Sequence, residues 1–152
     1  MRLRTPCTIL LLFAAAFAPV AAFSSDEKAP DQQSIGLLEA RIGQAPPQEQ
    51  CYLYAELIHQ MTELSLQQYA AGDAEKATAM LKRIQQLANK LHLSLADNNK
   101  RIKNAEILLR HATFRLREML HSSSYEDRPL VEQTLAQVNE ADNDAMMQVF
   151  RK

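Results

Sequence analysis

The chain predicts an all-α fold: a short N-terminal helix followed by an up-down bundle of about four helices. Three observations carry that expectation. Helix formers dominate, with only three glycines and no tryptophan. After position 46 apolar residues recur at spacings of three and four, as on helices that bury one face. The two-residue alternation of a half-buried strand does not occur.

The first 22 residues stand apart from this pattern. Arg2 and Arg4 give a basic start, and Thr8 to Ala22 carries no charge, with Ile9, Leu10, Leu11, Leu12, Phe13 and Phe17 supplying the hydrophobicity. This is the layout of a secretory signal peptide, and Pro19-Val20-Ala21-Ala22 suits cleavage after Ala22. The apolar run is shorter than the roughly 20 residues a relaxed bilayer crossing needs; an uncleaved N-terminal anchor is the alternative. Cys7 precedes the apolar run, so it is not placed as a lipoprotein cysteine. The segment holds two of the 17 basic residues and none of the 18 acidic ones, so its removal leaves 130 residues of formal charge −3. That charge does not favour nucleic acid as a partner. A periplasmic or secreted protein with no membrane span after cleavage is expected.

Residues 23–45 read as a polar leader ending in a short helix, and 46–152 as one bundle domain. In the leader, Asp31 is a capping candidate, and Ile35, Leu38 and Ile42 form a stripe until Gly43 and Pro46-Pro47 interrupt. Pro47 suits the first turn of a helix over 47–71, with Tyr54, Leu57, Ile58, Met61 and Leu64 inward and Gly72 closing it. Asp73 caps a second helix in which Ala77, Met80, Leu81, Ile84, Leu87, Ala88, Leu91 and Leu95 keep one face. A third carries Ile102, Ala105, Leu109, Ala112, Leu116, Met119 and Leu120 and ends at Ser122-Ser123-Ser124. The fourth follows Asp127 as cap, tolerates Pro129 in its first turn, and packs Val131, Leu135, Val138, Ala141, Ala145 and Val149.

The junction Ala96-Asp97-Asn98-Asn99 has neither glycine nor proline, so the second and third helices could be one. A break is preferred because the apolar stripe changes phase there and Asp97 and Asn98 are good caps. The helix over 47–71 has three acids and no Lys or Arg, whereas the second and third helices are net basic and the fourth net acidic. With consecutive helices as neighbours, the second and third would make a basic side and the fourth and first an acidic one.

Chemistry-bearing residues are few. Glu56 with His59, and Glu118 with His121, repeat the Glu-x-x-His spacing that supplies di-iron ligands in some helical bundles. The helical wheel turns both pairs away from the apolar stripes, and their heights differ by about 15 Å, so no metal or other cofactor is expected. His92 and His111 read as surface residues. Met61, Met80, Met119 and Met146 read as core filler, without an opposed histidine for haem. Ser122 to Ser124 lack the Gly-x-Ser-x-Gly elbow of a hydrolase, and no catalytic motif points to an enzyme. Tyr52, Tyr54, Tyr69 and Phe114 are either an aromatic contact surface or part of a wide buried arc. Cys51, the one cysteine left after cleavage, is either a buried thiol or an intermolecular disulfide link.

Three segments, Pro-Gln-Glu-Gln-Cys-Tyr-Leu-Tyr-Ala-Glu-Leu (47–57), Lys-Arg-Ile-Lys-Asn-Ala-Glu (100–106) and Arg-Leu-Arg-Glu-Met-Leu-His (115–121), resemble small secreted helical proteins of soil bacteria. The resemblance covers residues 45–150 and implies a bacterial exported protein, with no activity to carry over. Ala70 to Ala77 is similar to the turn of a tetratricopeptide helix pair, but no 34-residue echo accompanies it. Function is therefore expected to be that of an exported interaction or structural module, binding protein, itself or an envelope component. The alternative is a periplasmic binder of metal or a small ligand through Glu56, His59, Glu118 or His121.

Overall fold

Asp31 opens the first helix with its side chain. Its Oδ1 accepts from Ser34 N at 2.7 Å while Ser34 Oγ accepts from Asp31 N at 3.1 Å, a reciprocal capping box. Helix α1 (Gln32–Gln44) then buries Ile35, Leu38 and Ile42. The structure is a computed structural model and describes residues 29–95 and 99–151. The signal peptide read in 1–22, the rest of the leader up to Lys28, and the caps Asp97 and Asn98 lie outside the described residues.

Four longer helices follow: α2 (Pro47–Ala70), α3 (Ala74–Ser94), α4 (Ile102–Ser122) and α5 (Arg128–Phe150), with no strand among the described residues. Pro47 occupies the first position of α2, where no intrahelical N–H is lost. The helix ends in a Schellman turn, with Gly72 N donating to Tyr69 O and Asp73 N to Gln68 O, and Gly72 at φ +84°. Asp73 caps α3 by accepting from Lys76 N. Asp127 precedes α5 but makes no cap bond. Its carboxylate instead accepts from Ser124 Oγ at 2.7 Å and Tyr69 Oη at 3.2 Å, tying the α4–α5 turn to the end of α2.

The second and third helices are separate, which overturns the fused alternative: α3 stops at Ser94, and α4 starts after Arg101, whose backbone is left-handed at φ 59°. Their arrangement also departs from the expected order. Helix α2 packs on α3 and α4, and α5 packs on α4 and α3, while α3 and α4 make no close approach, nor do α2 and α5. Consecutive helices α3 and α4 thus stand at opposite corners of the square. The seven residues between Ser94 and Ile102 can reach about 23 Å, ample for the diagonal of a square with sides of about 8–10 Å.

Two helical hairpins, α2–α3 and α4–α5, therefore lie side by side. Lys100 N donates to Gln48 O, Arg115 pairs with Glu63, and His92 pairs with Asp144. Each contact spans 52 residues, so α4 runs parallel to α2 and α5 parallel to α3. This placement corrects the expected basic and acidic sides. The two net-basic helices are diagonal, and each stands between two net-acidic ones, which keeps like charge apart.

All five helices feed one core, with Leu53, Leu57, Ile58, Met61, Leu81, Ile84, Leu91, Leu109, Leu116 and Val131 among its fully buried side chains. Burying each such aliphatic contributes about 1.5–3 kcal/mol. Helix α2 touches α1, α3 and α4, so its burial is not a single stripe. Cys51, Leu53 and Ala55 are enclosed as well as Leu57, Ile58 and Met61, and Thr62 and Ser65 are buried by returning their hydroxyls to backbone carbonyls. No described helix is long and apolar enough to cross a membrane.

Candidate functional site

Helix α2 floors a surface groove walled by α4 on one side and the start of α1 on the other. Three depressions of about 200, 360 and 620 Å³ follow one another along it. Tyr52 and Leu108 line both the first and the second, and Glu63 both the second and the third, so the three adjoin along α2. On α4 beside it stands a row of side chains, of which Ile107 and Glu118 line it. Ile107, His111, Phe114 and Glu118, all exposed, succeed one another at spacings of four, three and four and therefore share a face.

The polar groups of the groove pair mostly across the two parallel helices. Arg115 donates to both carboxylate oxygens of Glu63, at 2.8 and 3.1 Å, and to Glu118. The Glu63 bonds, with smaller help from Glu118, raise the Arg115 pKa above its ordinary value. At the other end the Arg101 guanidinium lies 3.5 Å from the centre of the Tyr52 ring, a cation–π contact. Between them the rings of His59 and His111 are 6.1 Å apart and inclined by 51°. Glu56, one turn before His59, lines the same depression, and its Oε2 is buried without a hydrogen-bond partner.

The residues read as metal candidates do not come together as read. Glu56 and His59 line the middle depression, whereas Glu118 lines the far one and is engaged by Arg115. In the 52-residue register, Glu56 is level with Leu108, about 15 Å from Glu118 along the helix. His121 is exposed in the last turn of α4. No three His, Cys, Asp or Glu side chains among the described residues are grouped to hold a metal ion. The ring that lies beside His59 is that of His111, at the same level on α4; the sequence signal for this was Leu57, His59 and Leu64 being matched by Leu109, His111 and Leu116 at that same offset.

Other chemistry-bearing side chains are structural. Cys51 is fully buried, and burial pushes its thiol pKa up to about 11 against a lowering hydrogen bond from Ser94. The inter-chain disulfide left open by the sequence would require that thiol to leave the core. Met61, Met80 and Met119 are core residues, and Met146 is exposed. Ser122 and Ser123 return their hydroxyls to Met119 O and Leu120 O, ending α4. Of the four aromatic residues considered for a contact surface, Tyr52, Tyr54 and Tyr69 pack partly against the core and Phe114 is 58% exposed.

No protein-family model, curated protein or solved structure matches the chain.

Proposed function

We propose that this chain is an exported bacterial interaction module that takes an amphipathic helical segment of a protein partner into the groove over α2. The observation that carries this reading is the groove itself, lined on α4 by Ile107, 47% exposed, with Phe114, 58% exposed, two turns further along the same face of that helix. Apolar side chains set beside a long cleft, with charged pairs such as Arg115–Glu63 along its length, match helix-in-groove recognition, in which anchors at spacings of three and four fill apolar sites. Export rests on the basic start and uncharged apolar run of residues 1–22.

The test is site-specific photo-crosslinking in the native cell, with the photoreactive residue at Phe114 and, for comparison, at exposed Lys82 on α3. A discrete adduct from position 114, absent from position 82 and lost with Ile107→Glu, is expected. Equal adducts from both positions, or none from either, would sink the reading. Fractionation of the same cells checks export: the chain should sit outside the cytoplasm, shortened by about 22 residues as the signal-peptide layout implies.

A further inference from the structure

We infer that this chain assembles head to tail, the last two turns of α5 in one copy seating in the far depression of the groove in a second copy. The inference rests on the groove reading above, whose occupant it names. Met146, Met147 and Phe150 share the outer side of α5, and they are three of the eight large hydrophobic side chains left exposed among the described residues, Phe150 at 80%. Their spacings of three and four are those of the anchors an amphipathic helix presents to a groove. The face they offer is already helical, so no part of the donor has to unfold.

The seat is the depression of about 620 Å³ with Leu66, Tyr69, Ala70 and Met119 in its walls and Glu63 and Glu118 beside them. Charge matches knob to seat. At the end of the bundle that carries Phe150, residues 41–52, 90–95, 99–104 and 142–151 hold six Lys or Arg against three Asp or Glu. Residues 66–80 and 118–132, at the end that carries the seat, hold two against six. Opposite ends therefore attract and like ends repel. Arg151, next to Phe150, brings a positive charge to a seat whose own cation, Arg115, is already held by Glu63 and Glu118.

Direction decides the form of the assembly. Helix α5 stands at the corner diagonal to α2, and five residues along the helix turn Phe150 roughly 140° from the buried Ala145. The knob thus faces away from the chain's own groove. A pair of joined copies keeps one knob and one seat free, so the contact is heterologous and continues into a ring or filament instead of stopping at two.

Sedimentation velocity of the untagged full-length chain from about 1 to 100 µM, a range that brackets micromolar dissociation constants, tests this. Species larger than a dimer should grow with concentration. Phe150→Glu spoils the knob, and Ala70→Arg fills the seat and repels Arg151; each should weaken association about tenfold or more, as loss of a central anchor does. Both positions are exposed, so the core is untouched, and circular dichroism checks the fold. Mixed together, the two variants should form a one-to-one dimer and nothing larger, because one sound knob and one sound seat remain between them. A chain that stays monomeric throughout, one that stops at a dimer, or association unaltered by either substitution would overturn the inference. The groove reading fails separately, since it stands wherever position 114 still crosslinks to a different protein in the cell.

Discussion

Cys51 sits in the first turns of α2 with its thiol enclosed by the core and its pKa raised to about 11 from 9.0. It should resist iodoacetamide at pH 8 in the native protein and react on denaturation, read by mass spectrometry of the Cys51 peptide. Between pH 9.0 and about 11 the folded chain keeps a proton that the unfolded chain has lost. Stability supplied by the buried neutral thiol is therefore full below that window and declines as pH rises through it; Cys51→Ala should flatten the decline in urea midpoints. Arg101 separates two other effects. It is the one described non-glycine residue at positive φ, and it also covers Tyr52. Arg101→Gly loses the cation–π contact but relieves the left-handed backbone, whereas Arg101→Ala loses the contact and keeps the strain. The alanine variant should be the less stable by about 1 kcal/mol, measured by thermal melts.

At the scale of elements, α2 is enclosed by three neighbours and α1 by one. Ile58→Ala should cost about 2–5 kcal/mol of global stability, seen as a lower urea midpoint. Ile35→Ala, at an equally buried position on α1, should mainly speed amide exchange in 32–44, because α1 can open without the bundle. These elements were largely legible beforehand. The three inward residues of α1 and seven of the eight read for α3 are buried, because each helix rests on the core through one face. The reading of α2 was narrower than its burial: Tyr54 and Leu64 are only partly buried while Cys51, Leu53 and Ala55 are enclosed. A periodicity argument assumes one covered face, and α2 has three. Asp127 resembled a cap in sequence, yet the nearer hydroxyls of Ser124 and Tyr69 took its carboxylate.

Across the whole molecule, which helices become neighbours was the least legible property, since hydrophobic spacing says which face turns inward and nothing about the corner each helix takes. Charge was the better guide, read as alternation around the square instead of complementarity between consecutive helices. The pairs that join separate elements, Glu39–Arg83, Glu63–Arg115 and Asp144–His92 between helices and Glu49–Lys100 between α2 and the turn before α4, are all partly exposed. Exposed pairs are worth about 0–1 kcal/mol each and weaken in salt. Raising NaCl from about 0.01 M to 1 M, where the screening length contracts from roughly 30 to 3 Å, should lower the urea midpoint modestly without changing the helical circular dichroism. The contact of the His59 and His111 rings was missed for a related reason: a separation of 52 residues acquires meaning only once the hairpins lie in parallel register.

The diagonal crossing between α3 and α4 has a consequence for assembly. A tether that must traverse the interior end of the square has a minimum length, below which one chain can no longer seat its own second half. Shortened past that point, the α4–α5 half would be taken up by a neighbouring molecule, giving a reciprocally exchanged dimer that keeps every helix contact of the single chain.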